Sequence, residues 1–128
     1  MDNMRIEKFD KEKHYEDLCK WLEQRKCPIP TREMLSDNGA IVPDVGCGFL
    51  YLTDSSMAHL DFFVTNPMAD EDKRTKAMDV VTSNLIMWAK EFGVSHLVTD
   101  SKVQKMQKLA FDYGFLPCGF TLALLKEL

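Results

Sequence analysis

Apolar and polar positions change their repeat along the chain in a way that marks out its elements. Arg5 to Phe9 alternates over a short span and predicts a first strand, and Asp10 then offers a side chain suited to cap a helix. In the helix predicted next, Tyr15, Leu18, Cys19 and Leu22 recur at i, i+3, i+4 and i+7 with lysines and glutamates between them, until Cys27-Pro28 breaks the pattern. Pro28 to Thr31 reads as a rigid connector. Thr31 is placed to cap a short second helix reaching Leu35, Ser36-Asp37-Asn38-Gly39 ends it, and Ala40 to Val42 is a brief strand. Val45 to Thr53 and Met57 to Thr65 are rich in aromatic and β-branched residues, and the turn formers Asp54-Ser55-Ser56 join them as an antiparallel hairpin.

A polar loop, Asn66 to Asp72, leads into the strongest helical pattern, with Ala77, Val80, Val81, Leu85, Trp88, Ala89 and Phe92 as its apolar stripe and Gly93 as its stop. His96 to Thr99 predicts a compact strand. Lys102 to Tyr113 predicts an amphipathic helix with Val103, Met106, Leu109, Ala110 and Tyr113 inward, closed by Gly114-Phe115 in the form of a Schellman stop. A last strand is expected over Cys118 to Leu125. The order β-α-α-β-β-β-α-β-α-β defines an α/β (α+β) domain with a mixed, mostly antiparallel sheet flanked by helices. No internal repeat, linker or low-complexity stretch divides residues 1–128, so a single domain is expected.

Composition narrows the function classes. With 45% apolar and 28% charged residues the balance is that of an ordinary globular chain, and no run approaches the roughly eighteen apolar residues needed to span a bilayer. The first residues alternate in charge without an apolar core, which predicts a cytoplasmic protein. Cys19, Cys27, Cys47 and Cys118 show neither CxxC spacing nor a neighbouring histidine pair, so reduced thiols are expected and no metal site. A net charge of −4 speaks against a sequence-independent grip on nucleic acid, and Lys102, Lys105 and Lys108 at helical spacing read as a solvated helix face.

The element order resembles that of the GNAT (GCN5-related N-acetyltransferase) superfamily over nearly the whole chain. The resemblance is carried by HLDFFVTNP at the end of the meander, SNLIMWAKEFGVSHLVTD across the long helix and next strand, and KLAFDYGFLP at the last helix. These stretches are also similar to abbreviated, glycine-poor GNAT-like proteins of bacteriophages. The resemblance implies acetyl-CoA as co-substrate, a primary amine of a small molecule or protein as acceptor, and a homodimer paired through terminal strands. It further implies that backbone around Phe63, Val64 and Thr65 holds the pantetheine arm. The pyrophosphate turn, Arg/Gln-x-x-Gly-x-Gly/Ala in the family, corresponds to Lys73-Arg74-Thr75-Lys76-Ala77-Met78-Asp79. That segment keeps an arginine but has no glycine and puts an acid at the last small position.

Lys73, Arg74, Lys76 and Ala77 are therefore the expected pyrophosphate contacts, by side chain and by helix-start amides. Asp70, Glu71 and Asp72 just before them are carboxylates able to take the anion's place at the same helix dipole. For chemistry, strict alternation along Met57 to Thr65 puts Ala58, Leu60, Phe62 and Val64 on one face and His59, Asp61, Phe63 and Thr65 on the other. Asp61 occupies the place of the carboxylate that many GNAT enzymes use as base or water organiser, with His59 as its neighbour; Asp61 also reads as a half-exposed strand residue paired with a lysine, and His59 as a structural hydrogen-bonding group. The tyrosine that usually serves as general acid corresponds to Ala110, which leaves Tyr113 as the nearest candidate and Ser101 and Cys118 as weaker substitutes. Two functions stay open: an acyl-CoA-dependent N-acyltransferase, or a catalytically inactive protein of the same fold that binds a protein partner. A DNA-modifying or DNA-mimicking accessory protein is a third reading, with the acidic balance favouring the mimic.

Overall fold

In the computed structural model, which describes residues 4–119 and 124–128, the chain opens with a two-residue strand, Glu7–Lys8 (β1). Asp10 starts the first helix, Lys11–Gln24 (α1), by accepting the amides of Glu12 at 2.9 Å and Lys13 at 3.4 Å. His14 returns the favour, its Nδ1 accepting the Asp10 amide at 2.9 Å, so donors at both ends of the first turn are satisfied reciprocally. The buried face of α1 is His14, Leu18, Trp21 and Leu22; Tyr15 and Cys19 stand at its margin, half-buried. The ring of Trp21 is what pulls the stripe round, because an indole buries more apolar area than the thiol and phenol at the expected positions.

The second helix expected after Thr31 is only a 3-10 turn, Arg32–Met34, and Thr31 makes no side-chain cap. Competition from the sheet accounts for this. Ser36 Oγ donates to Leu50 O at 2.6 Å and accepts the Asn38 amide at 3.0 Å, drawing the chain into strand Asn38–Val42 (β2) two residues early. Gly39, legible as a breaker, lies inside that strand because the Phe49 ring occupies the place of its side chain: a Cβ there would sit 2.5 Å from Phe49 Cε2. β2 pairs antiparallel with Gly46–Leu52 (β3), which pairs antiparallel with Met57–Thr65 (β4). The long helix Glu71–Glu91 (α2) then crosses over to His96–Val98 (β5), parallel to β4. The sheet order is β1-β2-β3-β4-β5.

Both glycine stops form as expected. Gly93 takes φ +79° with Val94 N–H on Ala89 O at 2.9 Å, and Gly114 takes φ +88° with Phe115 N–H on Ala110 O at 3.0 Å after helix Gln104–Asp112 (α3). Phe92, the last member of the expected stripe, is exposed because it is the C-cap, beyond the stretch of α2 laid on the sheet. No residue of α3 is fully buried; Met106, Leu109 and Ala110 are half-covered, whereas Val103 and Tyr113, expected inward, are exposed. The expected strand from Cys118 to Leu125 is not seen at 118–119 or 124–125, and residues 120–123 lie outside the described ones.

The sheet is packed on both sides. On one, α1 and the connector cover Ile41, Cys47, Phe49 and Val64 together with Phe9 and Leu35; on the other, α2 lays Ala77, Val81, Leu85 and Ala89 over Ala40, Val42, Leu50, Ala58 and Leu60. That double cover explains why β2 and β3 read as nearly unbroken apolar runs. Among the described residues no helix is long and apolar enough to cross a membrane. Phe49, fully buried and in edge contact with Phe9 at 4.8 Å between ring centres, anchors the α1 side. Phe49→Ala is expected to cost about 3 to 5 kcal/mol, seen as a lowered urea midpoint with an unchanged slope.

Candidate active site

The hairpin of β3 and β4 is irregular at one point. Cys47 faces Val64 and Phe49 faces Asp61, so the single residue Gly48 stands opposite two, Phe62 and Phe63. This is a β-bulge, and Phe62 takes φ +52° to make it. Two local features hold a bulky residue in that left-handed conformation. Asp61 Oδ1 accepts the Phe62 amide at 2.7 Å, and the bare Cα of Gly48 leaves room for the Phe63 ring, whose Cδ1 would otherwise meet a Cβ at 2.6 Å.

The bulge overturns the alternation expected from the sequence. Ala58, Leu60 and Phe63 face α2, whereas Phe62 and Val64 join the cluster under α1. Beyond Asp61 the two faces are exchanged, because the extra residue shifts the period of two by one. Asp61 and Phe62, consecutive in sequence, consequently sit on the same face, with His59 two residues before them. His59 and Asp61 are exposed, as expected for that face, and among the described residues Asp61 makes no ion pair. Tyr51, opposite His59 in register, adds a half-buried ring 6.3 Å from that of Phe62, and its hydroxyl donates to Met34 O at 2.8 Å.

β4 also outruns its parallel neighbour. β5 pairs only with Met57, Ala58 and His59; then Thr99 Oγ1 donates to Leu60 O at 3.1 Å, and from Asp61 to Thr65 no strand among the described residues lies along that side of β4. At the far end, Arg25 reaches over from the C-terminus of α1 and donates to Thr65 O at 3.1 Å and Thr65 Oγ1 at 2.7 Å.

The loop after β4 is closed by its own polar groups. Asn66 Nδ2 donates to Asp44 O and its Oδ1 accepts the Met68 amide, each at 2.9 Å; Arg74 Nη1 donates to Ala69 O at 2.7 Å and Pro67 O at 3.3 Å. Arg74 thus braces the loop from the helix. α2 begins at Glu71, so amides after Arg74, expected to be free for an anion, are committed to its ladder; those of Glu71, Asp72 and Lys73 precede the first intrahelical bond, from the Arg74 amide to Asp70 O. The Asp70 side chain leaves them uncapped. Ala77, expected beside a ligand, is instead fully buried against the sheet. Lys73 and Lys76 are exposed, and Glu71 is ion-paired with Lys105 of α3, which holds its carboxyl below the usual range.

Tyr113 is separate from this constellation. Its hydroxyl meets Asp79 on α2, with Oδ1 at 2.5 Å, and burial together with that carboxylate raises its pKa above the ordinary tyrosine value. Tyr51, Gly48 and Phe62 were not singled out from the sequence. The available signal was Gly48 inside an otherwise apolar strand, a position that marks a bulge or a close approach.

The architecture has clear counterparts among solved structures. A probable acetyltransferase superposes with a TM-score of 0.69 at 19% identity, over 97% of this chain and all of that one. A Trypanosoma brucei acetyltransferase matches with a TM-score of 0.67 at 12% identity, over 95% of this chain and 99% of its own. The aminoglycoside N-acetyltransferase AAC(6')-Iy, solved with CoA, matches with a TM-score of 0.65 at 17% identity, over 97% and 100%. The chain has the GNAT acetyltransferase fold. No family model matches the sequence. No curated protein matches it either.

Two measurements bear on this geometry. Gly48→Ala forces a Cβ against Phe63 and is expected to destabilise by about 1 to 3 kcal/mol in urea unfolding. Burial, with the charge of Asp61 adding to it, pushes the Tyr51 hydroxyl up to about 12 from 10.0. Between those values the folded protein keeps a proton that the unfolded chain releases, so the contribution is whole below pH 10 and is lost as the pH climbs toward 12. Burial likewise pushes the Cys47 thiol to about 12 from 9.0, so its share begins to fall above pH 9. Tyr51→Phe is expected to be less stable at pH 8 by about 0.5 to 1.5 kcal/mol, through its lost hydrogen bond, and to lose less between pH 10 and 11.5.

Proposed function

We propose that the protein is an acyl-CoA-dependent N-acyltransferase that moves an acetyl group to a primary amine. The observation that carries this reading is the bulged end of β4: from Asp61 to Thr65 the backbone pairs with β3 on one side, while on the other no strand among the described residues lies beside it, next to a carboxylate that makes no ion pair among those residues. An extended amide chain such as pantetheine fits along such an edge by β-type pairing in the stretch Phe63, Val64 and Thr65, up to the Thr65 carbonyl that Arg25 already holds. Similarity to an aminoglycoside N-acetyltransferase solved with CoA supports the same class of donor.

In the reaction, the acceptor ammonium gives one proton to Asp61, directly or through a water that His59 helps to hold, and on to solvent. The freed amine forms a C–N bond to the acetyl carbonyl carbon as the C–S bond breaks, and its second proton ends on the departing sulfur of CoA. Because a thiolate is a fair leaving group, this transfer does not need a dedicated acid, and Tyr113 stays with Asp79. For the pyrophosphate, the fitting groups are the uncapped amides of Glu71 to Lys73 and the exposed ammonium groups of Lys73 and Lys76. Arg74 supports them through the loop carbonyls it already holds.

One feature favours the second reading, an inactive protein of this fold. Regular helix takes up the amides from Arg74 onward, and Asp70, Glu71 and Asp72 crowd the ones that remain. Calorimetry with acetyl-CoA separates the two. On the first reading, acetyl-CoA binds, ligand at a hundredfold over Kd adds about 2.7 kcal/mol of stability, and Lys73→Ala or Lys76→Ala weakens binding roughly tenfold. Absence of heat and of any thermal shift at millimolar acetyl-CoA sinks the enzyme and leaves the binding protein.

A further inference from the structure

A regular strand cannot show two consecutive side chains on one face; the bulge in β4 does so with Asp61 and Phe62. The arrangement is held at a cost, since a phenylalanine at φ +52° is a true outlier and persists only where its surroundings over-determine it. Asp61 itself supplies one restraint by accepting the Phe62 amide, so the carboxylate and the ring are positioned by the same contact. Tyr51 completes a corner of two rings and a carboxylate, and its hydroxyl is tied off on Met34 O, leaving the ring as the part presented.

The charges on this face are few. On the α1 side of β3 and β4 the residues are Cys47, Phe49, Tyr51, Met57, His59, Asp61, Phe62 and Val64, of which Asp61 is the only carboxylate. One negative charge beside two aromatic rings matches a single ammonium joined to an apolar or aromatic body: the carboxylate and the ring faces both attract the cation, and the rings cover its tail. Along these two strands a polycation would find no second counter-charge, the next carboxylate in the connector being Glu33 beside Met34.

We infer that the corner of Asp61, Phe62 and Tyr51 selects a monocationic amine with an aromatic or apolar body, of the arylalkylamine kind, as the acceptor. This rests on the acyltransferase reading for its chemistry and is tested separately from it. Phenethylamine is titrated into the protein without acetyl-CoA, and thiol release is then followed with acetyl-CoA and phenethylamine, spermidine or kanamycin. Saturable phenethylamine binding is expected, weakened at least tenfold in Asp61→Asn and in Phe62→Leu, with the fold of each variant checked by its unfolding midpoint. In turnover, kcat/KM for phenethylamine is expected to exceed that for spermidine and kanamycin at least tenfold, and Phe62→Leu to raise KM more than it lowers kcat. If acetyl-CoA binds and the polyamines react as well as phenethylamine, the acceptor class is wrong while the enzyme stands. If acetyl-CoA does not bind but phenethylamine does so through Asp61 and Phe62, the enzyme reading falls and the amine corner remains. Failure of phenethylamine to bind or react overturns the inference outright.

Discussion

The pairing of β3 with β4 across Gly48 is the constraint from which the rest of the molecule follows. Ahead of the bulge, the register puts Leu50 and Leu60 under α2 and Phe49 under α1; beyond it, Val64 and Phe63 exchange faces and keep both cores filled. Without the extra residue, Phe63 would leave the α2 side, and the alternation would send Phe62 and Val64 into it. A single inserted position therefore reconciles one continuous strand with two different packing surfaces. Gly48 makes it sterically affordable, because any Cβ at that point would collide with the Phe63 ring.

The same bulge shapes the end of β4 on which the proposed chemistry rests. Strand β5 stops pairing at His59, and Thr99 caps Leu60, so the backbone beyond is left with an open side. Asp61 and Phe62 are turned together to the α1 face at the point where that opening begins. Packing and the proposed function thus draw on one irregularity: the residue in a strained conformation is also the one whose neighbour offers a carboxylate that makes no ion pair among the described residues.

The start of α2 shows the opposite balance. Asn66, Arg74 and the carbonyls of Pro67 and Ala69 close the loop on itself, and helix begins at Glu71. A segment without glycine has little reason to leave the helical well, so the amides after Arg74 are used internally. What is left for an anion is the first turn, where three carboxylates compete with two lysines and the uncapped amides. The strength of any phosphate contact in this fold is set by that competition, together with the pairing of Glu71 to Lys105 that removes one of the competing charges.

The element order, the hairpin turn, the Asp10 cap and both glycine stops were legible in the sequence because each depends on neighbours a few residues away. Local periodicity placed His59 and Asp61 on one face for the same reason. What failed depended on distant partners. The second helix yielded to Ser36 reaching Leu50, Gly39 was absorbed into β2 by the Phe49 ring, Ala77 turned into the core, and Arg74 turned to loop carbonyls rather than outward. The corner of Asp61, Phe62 and Tyr51 belongs to this second group, since a period of two read along one strand carries no sign that its partner has a residue fewer. The sequence by itself determined most of the elements and their GNAT-like order; only the tertiary structure decided that the second helix shrank to a turn and which face each residue beyond Asp61 took, because register is a property of two strands paired across space.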